Sequence, residues 1–230
     1  MRIVAALAAA LLGTFLCALP LTGAAAPFSV RLGIEKLVLD APPGFSDTTE
    51  LASPRLASVS ETLTPASNRI LIFALSDDDV RRFTLGDPVD IKRYMIAVTP
   101  KALEHQRVSP EQFATHVGDS LQNLGALLET PDLIKFLEKE PMGKAHLLAE
   151  LKREPGTVSV LQASRYLDRP AATFWGSPTP RYLFYTTTLF LVRGKILQIR
   201  VYSFYDGPED VEWLKFITQR WQDELLRLNR

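Results

Sequence analysis

Three histidines are the first residues in this sequence whose side chains could take part in catalysis or bind a metal. His105, His116 and His146 lie far apart, and none has the His-x-x-x-His spacing or the accompanying glutamate of a zinc site. The sequence also lacks the G-x-S-x-G turn of serine hydrolases and the glycine-rich loops that hold phosphates. We therefore predict no catalytic residue, and we keep a hydrolase with an unrecognised site as an alternative.

An acidic run, Asp77–Asp79, with Asp87 and Asp90 nearby, offers carboxylate oxygens that could hold a hard cation. A calcium loop alternates its ligands and carries a central glycine and a distal glutamate, and this run lacks that pattern. We interpret it as part of an acidic, turn-rich connection over residues 77–91. The sequence predicts no metal site and no cofactor.

The stretch "TTTLFLVRGKILQIRVYSFYD", residues 186–206, predicts two strands joined by a two-residue turn at Arg193–Gly194 or Gly194–Lys195. Either turn places the same residues on each face of the hairpin. One face, the helix face, should pack against a helix and a core; it carries Phe184, Thr186, Thr188, Phe190, Leu197, Ile199, Val201 and Ser203. The other face, the tyrosine face, carries Leu183, Tyr185, Thr187, Leu189, Leu191, Ile196, Gln198, Arg200, Tyr202 and Phe204.

The middle of the tyrosine face is the candidate binding site. Tyr185, Gln198, Arg200 and Tyr202 would offer hydrogen bonds, one cation and two aromatic rings close together. Tyrosine and arginine are enriched at the residues that dominate binding energy in protein interfaces. The alternative is a partly solvated sheet face, or one packed under a helix, from which Arg200 extends its charged end into water.

The elements that must position this site follow from periodicity and from the residues that begin and end helices. The terminal helix has Pro208 in its first turn and an apolar stripe at Leu214, Ile217, Trp221, Leu225 and Leu228. Because strands come in hairpins with helices between them, we predict an α+β fold, a mostly antiparallel sheet flanked by helices in one domain. The remaining predictions are a strand or hairpin at 30–45, helices at 53–63 and 109–129, strands at 69–76, 92–100 and 158–167, one or two short surface helices at 130–154, and a loop around Trp175.

The N-terminal segment predicts export. Arg2 precedes an apolar run that small residues close at Ala25 and Ala26, which is the layout of a secretory signal peptide. We predict a signal peptide over residues 1–25, cleavage near Ala25, a domain over 26–230 and a periplasmic location. Retention of the nearly apolar residues 3–19 as an inner-membrane anchor is the alternative. Cys17 is the only cysteine, so cleavage leaves a chain without disulfides.

The charge balance argues against polyanionic partners. The chain has 26 basic and 26 acidic residues, with no basic stripe or tail along the sequence. Nucleic-acid binding therefore has little electrostatic support, and we expect membrane contact only if the N-terminal segment is retained.

Two stretches carry a resemblance to a known family. They are "LVLDAPPGFSD" near the start and "FLVRGKILQIRVYSFYDGPEDVEWLKFITQRWQDEL" at the end. Together they resemble the PsbP/Mog1-like α/β sandwich proteins, and they are similar to exported proteins of Gram-negative bacteria. The resemblance covers about a third of the chain and implies an antiparallel sheet flanked by helices, with a binding or assembly role. It implies no functional residue.

These observations predict a soluble, exported, non-enzymatic protein that binds an unidentified protein or small ligand. Cleavage can be tested by the mass of the protein isolated after expression with its native N terminus. We expect a chain that starts near Ala26, because small residues precede that bond. An intact Met1 would reject cleavage and favour the anchored alternative.

Overall fold

The computed structural model describes residues 26–87, 89–168 and 179–230. The predicted signal peptide and the loop around Trp175 lie outside these residues. The strands are β1 Phe28–Leu32, β2 Glu35–Leu39, β3 Phe45–Asp47, β4 Asn68–Ser76, β5 Arg93–Pro100, β6 His146–Glu154, β7 Thr157–Asp168, β8 Thr179–Val192 and β9 Lys195–Phe204. The α-helices are α1 Pro54–Thr62, α2 Asp77–Leu85, α3 Pro110–Leu121, α4 Leu133–Leu137 and α5 Pro208–Leu228.

The strands form a seven-stranded sheet and a separate two-stranded sheet. The larger sheet has the order β3-β4-β5-β9-β8-β7-β6, and the smaller one is the β1–β2 hairpin. Every strand pair in both sheets is antiparallel. The predicted α+β class, with an antiparallel sheet flanked by helices in one domain, is confirmed.

The central hairpin β8–β9 has the predicted two-residue turn at Arg193–Gly194. Val192 pairs with Lys195, and the turn residues have φ angles of +50° and +73°. Both central residues of a type I′ turn need positive φ, which glycine adopts without strain and arginine adopts only at some cost. This turn fixes the register and therefore the two faces of the hairpin.

The helix face packs as predicted. Its Phe184, Phe190, Leu197, Ile199 and Val201 are buried in one cluster with side chains of α5 and of the β1–β2 hairpin. The α5 members of this cluster are Leu214, Ile217, Trp221 and Leu225. Each large apolar side chain buried in this way stabilises the fold by roughly 1.5–3 kcal/mol.

The opposite side of the sheet is covered by α1, α2 and α3. Phe113 and Val117 of α3 pack against the turn end of the tyrosine face, where Leu189 and Ile196 are buried. α1 and α2 cover β4 through a cluster centred on Leu56, Phe73 and Leu75. The middle of the tyrosine face lies between these two packed regions.

The acidic connection predicted at 77–91 is wrong, because Asp77–Leu85 form helix α2. The Ser76 hydroxyl accepts a hydrogen bond from the Asp79 N–H at 3.1 Å, and the three aspartates occupy the first turn. Negative charges are stabilised there by the helix dipole. The helix ends at Gly86, which has a φ of +80°. The three carboxylates therefore lie at the N terminus of α2, where they stabilise the helix, rather than in a metal-binding loop.

The predicted surface helices at 130–154 are also largely wrong. Only α4 forms in this region, with Asp132 as its cap, and its Leu137 is fully buried. Residues His146–Glu154 form β6, which pairs with β7 across a two-residue turn at Pro155–Gly156. Proline followed by glycine at positive φ is typical of a type II turn, so the sequence did carry a signal for a chain reversal at this point.

Strand β6 forms one outer edge of the large sheet. Its pairing with β7 contains two irregularities, between Leu147 and Ala149 and between Glu150 and Lys152. Its second half is charged and ends in Arg153 and Glu154. Bulges and charges of this kind oppose the addition of another strand.

Asp210 is the most strongly coordinated buried charge in the described residues. Its carboxylate has no exposed surface and accepts hydrogen bonds from the Arg93 guanidinium at 2.9 Å and from the Asp206 N–H at 2.9 Å. The Lys92 ammonium lies 3.1 Å away. Burial alone would raise the pKa of Asp210, but these partners together lower it to about 2.

We expect Asp210→Asn to lower the free energy of unfolding at pH 7 by about 2 kcal/mol, since one pKa unit corresponds to roughly 1.4 kcal/mol. A lowered pKa stabilises the fold above the ordinary value of 3.8, and that contribution is lost as the pH falls towards 2. Denaturant unfolding at several pH values should show the difference between wild type and variant shrinking over that range. The exposed Asp223→Asn on the same helix is the control, and an equal effect there would contradict the assignment.

Candidate binding site

A row of polar and aromatic side chains crosses four strands on the tyrosine face. Antiparallel pairing places Gln162 of β7 beside Tyr185 of β8, Tyr185 beside Tyr202 of β9, and Tyr202 beside Tyr94 of β5. Directly paired residues on antiparallel strands point to the same side of the sheet. The sheet therefore builds one continuous strip from residues that are far apart in sequence.

The three tyrosines of this row stack on one another. Ring centroids lie 4.6 Å apart for Tyr94 and Tyr202 and 5.2 Å apart for Tyr185 and Tyr202, with interplanar angles of 17° and 27°. Tyr202 is buried, whereas Tyr94 and Tyr185 are half-buried. Burial raises the pKa of all three hydroxyls, that of Tyr185 to about 12. These phenols remain protonated at neutral pH and can donate hydrogen bonds.

Arg200 supplies the positive charge of the site. The Gln198 amide oxygen accepts from both Nε and Nη2 of its guanidinium at 2.9 Å, and the Leu63 carbonyl accepts from Nη1 at 3.4 Å. No carboxylate of the described residues forms an ion pair with Arg200. The Tyr202 hydroxyl is a further hydrogen-bond partner of Arg200. A guanidinium has five N–H donors, so a donor remains for a carboxylate or phosphate oxygen.

Thr187 lies beside Arg200 across the β8–β9 pair and is 3% exposed. Its hydroxyl has no hydrogen-bond partner among the described residues. A buried hydroxyl left unpaired costs roughly 1–3 kcal/mol. Among the described residues, the site thus combines a cation that lacks a carboxylate partner with a hydroxyl that lacks a hydrogen-bond partner.

The structure brings all four predicted residues, Tyr185, Gln198, Arg200 and Tyr202, into one cluster, which we call the tyrosine–arginine site. Sequence reasoning missed its other members, Tyr94, Thr187 and Gln162. Thr187 was placed on this face but was not singled out. Tyr94 and Gln162 join through the β5–β9 and β7–β8 pairings, for which the sequence carries no local signal.

A groove lies on the other side of the sheet. It has a volume of about 770 Å³ and runs between residues 40–43 and the outer surface of α5, where Phe216 is 62% exposed. Burial and the nearby Glu224 carboxylate raise the pKa of Asp40 in its wall. The tyrosine–arginine site is not part of this groove. Its Tyr94, Tyr185 and Arg200 are partly exposed, and its other members are buried.

The histidines do not belong to a metal-binding cluster in the described residues. No group of three or more His, Cys, Asp or Glu side chains there could hold a metal ion. His146 is buried, with Nε2 lying 3.1 Å from a Glu140 oxygen and its ring packed edge-on against Phe136. No described hydroxyl hydrogen-bonds to His146, so this pair lacks a nucleophile. Burial lowers the pKa of His116, which lies in α3.

Comparisons with known proteins concern the fold. No protein-family profile and no curated protein matches the sequence. Two solved structures are similar to it, a mutant of the protein Mog1 and the Ran-binding protein Mog1p of Saccharomyces cerevisiae. Each is 15% identical, and each comparison covers 88% of this chain and 94% of the other, with TM-scores of 0.38 and 0.39. At this level of similarity, no functional residue and no activity of these proteins is assigned to this chain.

The effect of the unpaired Thr187 hydroxyl on stability can be tested by comparison with the neighbouring Thr186. Thr186 is equally buried, but its hydroxyl lies 2.5 Å from that of Thr218. We expect Thr187→Val to raise the free energy of unfolding by up to about 1 kcal/mol and Thr186→Val to lower it by about 1 kcal/mol. Both are measured by denaturant unfolding, and equal losses in the two variants would show that the Thr187 hydroxyl is bonded.

Proposed function

We propose that this chain is an exported, non-enzymatic binding protein whose tyrosine–arginine site receives an anionic group of a protein or small ligand. The observation that carries the proposal is the half-buried Arg200 guanidinium, which lacks a carboxylate partner among the described residues. Taking a charge partly out of water without an opposite charge costs free energy, and a bound anion would recover it.

The surroundings of Arg200 suit such a ligand. Tyr185 can donate a hydrogen bond. The partly exposed rings of Tyr94 and Tyr185, which stack on the buried ring of Tyr202, give an apolar surface next to the charge. Rigid aromatic groups bind with little loss of side-chain entropy, which is one reason why they dominate binding sites.

The periplasmic location is part of the proposal and is supported by the sequence of residues 1–25 and by the absence of cysteine from residues 26–230. Among the described residues, no helix is long and apolar enough to cross a membrane. Tethering through an uncleaved N-terminal helix is the alternative that the mass of the isolated chain tests. The hydrolase alternative gains no support from the His146–Glu140 pair.

Thermal unfolding in the presence of simple anions tests the site. We expect succinate, citrate or inorganic phosphate at millimolar concentration to raise the unfolding temperature of the wild type, because a ligand that binds only the folded state stabilises it. Arg200→Gln should abolish the rise, whereas the exposed Arg55→Gln on α1 should retain it. A rise of equal size in Arg200→Gln, or no rise with any of the three anions, would contradict the proposal.

A further inference from the structure

One end of the molecule carries a fully protruding isoleucine. Ile34 lies at the turn of the β1–β2 hairpin and is 95% exposed. The turn rests on the loop at residues 104–107, because a Cβ atom at Gly33 would lie 3.0 Å from the Glu104 carbonyl oxygen and 3.2 Å from the Lys195 ammonium. The hairpin turn is therefore packed at its base while its apolar tip points into solvent.

Cations from distant parts of the chain meet around this tip. The Arg193 guanidinium donates to the main-chain oxygens of Lys36 and Arg230 at 3.2 Å each, and Arg69 donates to the main-chain oxygen of Arg31 at 3.4 Å. These contacts hold together β1, β2, the β8–β9 turn and the end of the chain. We call the following residues the basic tip: Arg31, Ile34, Lys36, Arg69, Arg107, Arg193 and Arg230.

The nearby acids do not neutralise the basic tip. Glu104 pairs with Arg69, and a Glu35 oxygen lies 3.9 Å from Arg107. Among the described residues, no Asp or Glu side chain forms an ion pair with the side chain of Arg31 or Lys36, and Arg193 donates to the main-chain oxygen of Arg230. Arg31, Lys36, Arg107, Arg193 and Arg230 are all exposed. A chain with no net charge overall thus presents a positive surface at one end.

We propose that the basic tip binds the surface of a bilayer that contains anionic phospholipid, with Ile34 entering the region between headgroups and acyl chains. A single apolar side chain surrounded by cations is suited to a bilayer, because the bilayer can accept a protruding side chain without a complementary pocket. An acidic protein partner would need such a pocket for Ile34. Interfacial binding gains from buried apolar area and from attraction of basic residues to anionic lipids.

This surface differs from the sequence expectation, which allowed membrane contact only through a retained N-terminal segment. The sequence shows no basic run because the contributing residues lie between Arg31 and Arg230 and meet only in the folded chain. Each cation near an anionic surface strengthens binding about fivefold, and burial of Ile34 adds about tenfold or more. The expected contact is reversible and sensitive to salt.

Vesicle co-sedimentation of the protein as isolated tests the proposal, with every variant carrying the same N terminus. We expect binding to vesicles of phosphatidylcholine with phosphatidylglycerol to exceed binding to pure phosphatidylcholine by about tenfold or more at low salt. Arg31→Glu combined with Lys36→Glu should weaken the anionic binding by about 25-fold or more, and Ile34→Asp separately by about tenfold or more. The controls are Arg55→Glu with Lys139→Glu, and Leu85→Asp at another exposed apolar residue, and they should retain it.

A fluorescent dye at position 34 distinguishes membrane binding by the basic tip from membrane binding by residues 1–25. In a Cys17→Ser background, an environment-sensitive dye attached at Ile34→Cys should shift its emission to shorter wavelength on anionic vesicles, whereas the same dye at Leu85→Cys should not. No shift at position 34, or equal binding of all variants, overturns the proposal. Loss of binding in the charge variant with full binding in Ile34→Asp would indicate a general anion surface, as for an acidic protein, and would also overturn it.

Discussion

The register of the β8–β9 hairpin is the constraint on which the rest of the structure depends. Side chains alternate between the two faces of a strand, so a slip of one residue would move every apolar residue of the helix face to the opposite side. The Arg193–Gly194 turn, with positive φ at both residues, allows only one register. That register buries Phe190 and Leu197 under α5 and, with the same geometry, gathers Arg200 and the tyrosines on the other side.

The structure treats its inward-placed charges differently. Asp210 is enclosed and receives two cations and a backbone N–H, so its charge is stabilised within the fold. Lys195 is also buried, and its ammonium donates to two carbonyl oxygens, those of Glu104 and Gln106. Arg200 is likewise held by uncharged groups, an amide and a carbonyl, but it is only partly buried. Partial exposure is what distinguishes Arg200 from Lys195 and leaves its charge within reach of an anion.

Elements with strong local signals could be predicted from the sequence, and elements defined by long-range pairing could not. The 3.6-residue stripe of α5, the capping box at Ser109 and the glycine turn at Gly194 each depend on neighbouring residues. Strand β6 was mistaken for helix although the Pro155–Gly156 turn marked the chain reversal, because its own residues do not decide between strand and helix without β7 beside them. The same limit applies to the site: residues on one hairpin could be grouped, whereas Tyr94 joins them through a strand about a hundred residues earlier.

The two edge strands of the large sheet restrict how another molecule can bind to it. The edge strand β3 is only three residues long, and the opposite edge strand, β6, is interrupted by bulges and charged along its second half. A peptide that adds a strand to a sheet through main-chain hydrogen bonds needs a regular edge strand with unpaired main-chain groups. Neither β3 nor β6 provides one. A partner of this sheet must then be bound by side chains above the sheet or at its ends. Substitution of those side chains can change which partner is bound without changing the backbone.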